Sequence, residues 1–158
     1  WGDSAMGEIE IQLEDPAAPP ARALLEESHA LMGSLFPKEA NHFLSVDKLK
    51  EPHVHLFVAK EEDMTFGCAA LAEFGEYAEV KSMYVAPQAR SRGVADRLLT
   101  HLEATARARR IKKLRLETSQ PRLEAAHRLY ERHGFTDCAA FGTYPADAPY
   151  SRYMELSL

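Results

Sequence analysis

Residues 79–99 of this chain read EVKSMYVAPQARSRGVADRLL, a stretch that predicts a strand, a tight basic turn and a helix. The strand covers residues 80–85, where β-branched and aromatic residues are frequent, and Pro87 ends it because proline has no backbone N–H to donate. Apolar residues then recur on one side of a helix, at Val94, Ala95, Leu98, Leu99, Leu102 and Ala106. The intervening polar residues are expected to face solvent: Asp96, Arg97, Thr100, His101 and Glu103.

The turn between this strand and this helix has the properties of an anion-binding site. A glycine such as Gly93 lets the backbone approach a ligand closely, and the first turn of a helix carries unpaired N–H donors and a partial positive charge. Arg90 and Arg92 add formal charge. The two common phosphate-loop patterns, G-x-x-x-x-G-K-S/T and G-x-G-x-x-G after a strand, are absent. Residues 90–95 therefore predict a cradle for a pyrophosphate.

The composition is that of one globular domain. The 158 residues are 46% hydrophobic and 27% charged, and the net charge of −5 disfavours a nucleic-acid partner. No apolar run is long enough to span a membrane, and Cys68 and Cys138 lack metal-ligand spacing, so we expect neither a membrane nor a metal. No secretion signal is evident, which favours a cytoplasmic location. We expect residues 1–5 to be a cloning remnant and residues 6–158 to form one domain.

The other periodicities place strands and helices on both sides of this central unit. Helices are predicted over residues 22–32, 42–50 and 121–133, and strands over 8–13, 54–59, 64–71, 114–118, 135–141 and 152–158. Pro16, Pro19 and Pro20 are expected to end the first strand, and Gly33 and Pro37 the first helix. The order β-α-α-β-β-β-α-β-α-β-β predicts an α/β protein, with a mixed sheet covered by helices on both faces.

A second motif, AHRLYERHGF at residues 126–135, lies in the helix near the end of the chain. It resembles the Ala-x-x-Leu-Tyr-x-x-x-Gly-Phe segment of GNAT-type N-acetyltransferases. The turn at residues 90–95, Arg-x-x-Gly-x-Ala, resembles the Gln/Arg-x-x-Gly-x-Gly/Ala signature of the same family. The resemblance covers residues 68–135 in sequence and the rest of the chain in element order, so it implies the GNAT fold.

The resemblance implies acetyl-CoA as the donor and CoA as the product. The family's pyrophosphate turn corresponds to Arg90, Ser91, Arg92, Gly93, Val94 and Ala95. Its pantetheine arm inserts like an extra strand where the central strand splays from its neighbour, which implies contacts with Met83, Tyr84, Val85, Ser119, Ala126 and Tyr130. Many members carry an asparagine where this chain has Leu123. Pantetheine must then depend more on backbone bonds and on other side chains such as Ser119.

Two residues are candidates for the chemical step. Glu79, at the start of the central strand, is the candidate base, acting directly or through water, and the alternative is a solvated strand-end glutamate. Strict alternation places it on one face with Lys81, Met83 and Val85, unless the strand bulges. Tyr130 is the candidate acid for the departing thiolate, and the alternative is a core aromatic.

The acceptor site is expected among residues that cover the sheet. The candidates are Glu26, His29, His42 and Tyr144, which Ser34 and Arg152 could join. Tyr144 belongs to the segment FGTYPAD at residues 141–147, which resembles a C-terminal loop of small bacterial members. We expect transfer of acetyl to a primary amine of a small or amino-acid-like molecule. The alternatives are acetylation of a protein lysine or N-terminus and a non-catalytic acyl-CoA sensor. A homodimer is compatible with the family.

Overall fold

The computed structural model describes residues 9–37, 45–120 and 123–158. The elements are β1 (Glu10–Leu13), α1 (Pro19–Leu35), α2 (Val46–Leu49), β2 (Val54–Glu61), β3 (Met64–Phe74), β4 (Tyr77–Val85), a 3₁₀ turn (Pro87–Ala89), α3 (Val94–Ala108), β5 (Lys113–Ser119), α4 (Glu124–Arg132), β6 (Thr136–Asp137) and β7 (Ser151–Ser157). The predicted order of strands and helices is confirmed. None of the helices in the described ranges is long and apolar enough to cross a membrane.

Three predicted boundaries are wrong for identifiable reasons. Gly33 does not end the first helix, since α1 continues to Leu35 and a helix tolerates an internal glycine at modest cost. Pro19 and Pro20 form the first turn of α1, where proline's fixed φ suits the helix and its missing N–H has no intrahelical partner to lose. The strand predicted over residues 135–141 shrinks to Thr136–Asp137, and an irregular segment continues to residue 150. Residues 38–44, with the first part of the second predicted helix, lie outside the described residues.

The seven strands form one sheet in the order β1-β2-β3-β4-β5-β7-β6. Of the strand pairs that the structure describes, β4 and β5 run parallel and the others run antiparallel. The sheet carries a core on each face. On one face, Leu24 and Leu25 of α1 and Leu49 of α2 pack on β2 and β3. On the other, α3 buries Leu98, Leu99 and Leu102 against the sheet.

Helix α3 is less exposed on its polar side than its sequence predicts. The ring nitrogens of His133 lie 2.6 Å from Glu103 Oε2 and 2.9 Å from Asp96 Oδ1, so these carboxylates join α3 to the end of α4. The ring of His101 packs edge-on against Phe57, with ring centroids 4.6 Å apart. Three of the five residues expected to face solvent therefore make tertiary contacts.

The central strand departs from regular pairing at one point. Between β3 and β4, Cys68 pairs with Tyr84 and Ala70 pairs with Lys81, so two steps on β3 span three on β4. The extra residue is a β-bulge, and Ser82 adopts a φ of 55° there. A bulge bends its strand and increases the local twist. The pairing of β4 with β5 covers only residues 77–79, and the two strands diverge beyond it.

Helix α3 packs closely on the sheet at Gly67. A Cβ atom added there would lie 3.0 Å from the Tyr84 carbonyl oxygen and 3.1 Å from Val94 Cγ1. We expect Gly67→Ala to lower the free energy of unfolding by about 1–3 kcal/mol, because the backbone must shift to admit the methyl group.

The matched control is Gly33→Ala in α1, where an added Cβ has no neighbour within 4 Å. It should raise the free energy of unfolding by up to about 1 kcal/mol through helix propensity. Urea unfolding of both variants measures these changes. A Gly67→Ala protein as stable as the original would contradict the close packing of α3 on β3.

Candidate functional site

The divergence of β4 and β5 opens a cleft of about 210 Å³ through the sheet. Its walls come from α1 on one face and from the start of α4 on the other. The lining residues are Ser28, Leu31 and Met32 of α1, residues 80–84 of β4, residues 117–119 of β5, and Leu123, Ala126 and Tyr130. The cleft gathers many of the residues that the resemblance assigned to pantetheine.

The bulge decides which face each residue of β4 serves. Glu79 and Lys81 pair with Ala72 and Ala70, whose side chains belong to the core under α1. Beyond the bulge, Met83 and Val85 pack against the core under α3 instead. Strict alternation, which placed all four residues on one face, therefore fails after Ser82. The extra residue moves Met83 and Val85 to the opposite face from Glu79 and Lys81. On the side that faces β5, residues 80–85 pair with no other strand in the described chain.

The turn before α3 presents a row of unpaired donors. The backbone amides of residues 91–96 bond to no acceptor in the described part of the chain, and no side chain caps the helix. Ser91 and Gly93 have φ values of 70° and 75°, a left-handed conformation that turns successive amides outward. A Cβ added to Gly93 would meet no atom within 4 Å, so space is open at this point. The turn fits an anionic group such as a pyrophosphate.

The two arginines of the turn differ in their contacts. Arg90 donates through Nε to the carbonyl of Val85, 3.3 Å away, and remains exposed beside the Tyr84 ring. Arg92 donates to Glu61 at 3.1 Å, and its guanidinium lies 5.1 Å from the Phe66 ring centre. Arg92 is thus bound to the β2–β3 hairpin, whereas Arg90 has more access to solvent and ligand.

The other end of the cleft is formed where β5 meets α4. Ser119 is buried at the end of β5, and its carbonyl oxygen lies 3.1 Å from His127 Nε2, which must donate because a carbonyl only accepts. This bond connects β5 to α4 beside Ala126. Leu123 precedes α4 and gives the cleft an apolar wall in place of a side-chain amide.

Glu79 precedes the lining residues Val80 and Lys81 on β4 and is only 6% exposed, so it is not a solvated strand-end residue. The Tyr144 hydroxyl donates to Glu79 Oε2, and Lys81 Nζ donates to the Tyr144 oxygen at 2.5 Å. Lys81 Nζ also lies 3.4 Å from Glu79 Oε2. Burial raises the pKa of Glu79, assisted by Glu117, and outweighs the lowering by Lys81 and Tyr144.

Tyr130 is both a core aromatic and a lining residue of the cleft. Its ring packs edge-on against Phe135, with centroids 5.8 Å apart, and it is buried in α4. Burial, with a smaller effect of Glu117, raises the pKa of Tyr130 to about 12. The phenol therefore keeps its proton at neutral pH. Its packing as a core aromatic therefore does not conflict with the hypothesis that it acts as an acid.

Most acceptor candidates do not line the cleft. Glu26 is exposed and lies 3.5 Å from Arg22, and His29 is half-buried, with its pKa lowered by burial against the raising effect of Glu26. The reason is helical phase: α1 buries Leu24 and Leu25, so the residues a turn or two further along, Ser28, Leu31 and Met32, face the cleft.

Two other candidates are also turned away, and one lies outside the description. Ser34 is exposed and donates to the carbonyl of Leu31. Arg152 is bound to Asp137 at 2.7 Å and to Glu131 at 3.0 Å, beside α4. His42 falls in residues 38–44, outside the described residues. Of the acceptor candidates that the structure describes, Tyr144 is the one that contacts Glu79.

Sequence reasoning did not assign roles to Lys81 and Glu117, which line the cleft. The Lys81 side chain is only 10% exposed, and Glu117 is half-buried. Glu117 accepts a hydrogen bond from the Ser151 hydroxyl at 2.7 Å. The alternation of side chains along β5 could have identified Glu117. Arg115 pairs with Glu79, so Arg115, Glu117 and Ser119 lie on the same face of the sheet as Glu79.

Comparisons with known proteins agree with this geometry. Residues 21–135 match the model of the acetyltransferase (GNAT) family. The chain is 37% identical to the IAA acetyltransferase of Azospirillum brasilense over 155 residues, 97% of this chain and 100% of that protein. It is also 37% identical to the N-acetyltransferase YedL of Escherichia coli over 150 residues, 94% of each chain.

Solved structures show the same fold. A Klebsiella pneumoniae protein described as an acyl-CoA N-acyltransferase superposes with a TM-score of 0.79 at 30% identity, over 95% of this chain and 97% of that one. A GNAT acetyltransferase from Elizabethkingia anophelis with acetyl-CoA bound has a TM-score of 0.70 at 20% identity, over 96% and 99%. The cleft between diverging strands, the donor row before α3 and these matches lead to one conclusion: this chain belongs to the GNAT family and is an acetyltransferase.

Proposed function

We propose that this acetyltransferase moves an acetyl group from acetyl-CoA to the primary amine of a small, amino-acid-like acceptor by direct transfer. The observation that supports it best is the cleft between β4 and β5, whose lining includes residues 80–84 just after the buried Glu79. The same segment of chain continues into the turn whose backbone amides, at residues 91–96, have no acceptor in the described part of the chain. The Elizabethkingia anophelis protein of the same fold was solved with acetyl-CoA bound.

Each part of the donor has a matching part of the cleft. The amides of residues 91–96 and the exposed Arg90 suit the pyrophosphate, and the unpaired edge of residues 83–85 suits the amide groups of pantetheine. Ser119 and Ala126 border the same slot. Because Leu123 offers no hydrogen bond, we infer that backbone groups of β4 carry most of the polar contacts to the arm.

Direct transfer forms the N–C bond of the amide, breaks the C–S bond of the thioester, removes a proton from the amine and returns one to sulfur. Glu79 is the proposed acceptor of the amine proton, directly or through a water. Its raised pKa brings its basicity closer to that of an amine, as general-base catalysis favours. Tyr130 is the proposed donor to sulfur, since its phenol is protonated at neutral pH.

The charges of the cleft support an acceptor that carries both an amine and a carboxylate. Lys81 and Glu117 line the cleft together, one cation and one anion, on the side covered by α1. A carboxylate near Lys81 and an ammonium near Glu117 would each meet opposite charge. The narrow volume between α1 and the sheet suits a small molecule better than a peptide segment.

An acceptor screen tests this proposal. Thiol release from acetyl-CoA is measured with panels of amino acids, simple amines, polyamines and lysine-containing peptides. We expect release with amino acids or related amines. Release confined to peptides would favour protein acetylation, and tight CoA binding without release from any amine would favour a sensor.

The donor site is tested by Gly93→Val. A branched side chain at this position would occupy the space in front of the amides, so we expect CoA affinity to fall at least about tenfold in calorimetry.

The control for this variant is Gly75→Val in the β3–β4 turn. Gly75 has a φ of 83° and the same open surroundings, so valine there imposes similar backbone strain without reaching the cleft. It should lower stability and leave CoA affinity unchanged. Equal CoA affinity in Gly93→Val and the original protein would remove the turn from the donor site.

The acid is tested by Tyr130→Phe, which keeps the ring contact with Phe135 and removes the proton. We expect the rate of transfer to fall roughly 10²–10⁴-fold, with the fold and CoA affinity preserved. Single-turnover thiol release with a working amine measures the change. Turnover equal to that of the original protein would leave Tyr130 with packing alone.

A further inference from the structure

We propose that Tyr144 is a positioning residue for Glu79: its hydroxyl holds carboxylate oxygen Oε2, and so leaves Oε1 to receive the proton of the acceptor amine. The inference rests on the proposed role of Glu79 as base. It assigns to the segment between β6 and β7, residues 138–150, a part in the chemical step as well as in covering the cleft.

The direction of the hydrogen bonds supports this role. An ammonium only donates, so Lys81 donates to the Tyr144 oxygen, and the phenol proton then points to the ionised Glu79. Both bonds are shielded from water, because the side chains of Lys81 and Glu79 are 10% and 8% exposed. Oε2 also has Lys81 Nζ 3.4 Å away. Oε1 receives no hydrogen bond from any residue that the structure describes.

The phenol is held in place by contacts that do not involve its hydroxyl. The Phe141 ring packs edge-on against Tyr144, Tyr77 and Tyr153, with centroid distances of 5.3, 5.8 and 5.9 Å. The Tyr153 hydroxyl donates to the carbonyl of Pro145 at 2.6 Å, which ties the segment to β7. A variant that lacks only the Tyr144 hydroxyl should therefore keep the segment in place.

The charged and titratable groups around Glu79 fix the expected sign of the effect. Lys81 faces it from β4, Tyr144 from the loop and Glu117 from β5. Burial raises the pKa of Glu79, and the Tyr144 hydrogen bond is one of the interactions that lower it. Without that bond the pKa of Glu79 rises further, a larger fraction of the base is protonated at neutral pH, and Oε2 competes with Oε1 for the proton.

The test compares Tyr144→Phe with Tyr153→Phe, which loosens the loop tether and leaves the Tyr144–Glu79 bond in place. The pH dependence of kcat/KM is measured for both, and the Glu79 carboxyl is titrated by ¹³C NMR in the absence of substrate, with its resonance assigned through Glu79→Gln. We expect Tyr144→Phe to move the NMR titration and the acid limb of kcat/KM to higher pH. At pH 7, kcat/KM should fall about two- to tenfold and recover at high pH.

Tyr153→Phe should either leave kcat/KM unchanged or lower it by a factor that does not depend on pH. It should not move the NMR titration of Glu79. A purely structural role of Tyr144 would give that same pattern in Tyr144→Phe and would overturn the proposal. The NMR titration needs no acceptor, so it decides the point even if no amine supports turnover. Absence of turnover in the original protein would contradict the proposed function, whereas an unmoved Glu79 titration in Tyr144→Phe would contradict this inference alone.

Discussion

The β-bulge in β4 is the constraint on which the site depends. One extra residue, near Ser82, shifts the register with β3, and the pairing of the same strand with β5 covers residues 77–79. Because the β4–β5 pairing stops at Glu79, the next residues of the two strands form no ladder with each other in the described chain. The bulge places Lys81 and Met83 on opposite faces of the sheet, and the cleft lies along the unpaired edge of residues 80–85.

The second constraint is electrostatic. Glu79 is buried where the paired part of β4 ends, and burial makes ionisation costly, while Lys81 and Tyr144 partly offset that cost. The net effect raises the pKa of Glu79, beside the lining residue Lys81. The amides before α3 have the opposite character, because they are open and positively polarised. In the proposed mechanism, Glu79 accepts the proton of the amine and the amides before α3 bind the pyrophosphate.

The local parts of this arrangement could be predicted from the sequence, and the tertiary parts could not. The helical spacing after Gly93, the stop at Pro87 and the AHRLYERHGF motif are local signals, and they led to the fold and to most of the cleft. The bulge has no glycine that would predict it, because the residue with a positive φ there is Ser82, at 55°. The rotation of α1 on the sheet, which turned Glu26 outward, depends on core contacts that no periodicity fixes.

The central claim is that the donor fills the slot between β4 and β5. Hydrogen–deuterium exchange with and without saturating CoA tests it directly, because the backbone amides of residues 80–85 and 91–96 are the groups that the ligand would cover. The account predicts slower exchange in both segments on CoA binding and no change in β1 or α2, which lie away from the slot. Unchanged exchange in both segments, under conditions where calorimetry shows CoA to be bound, would contradict it.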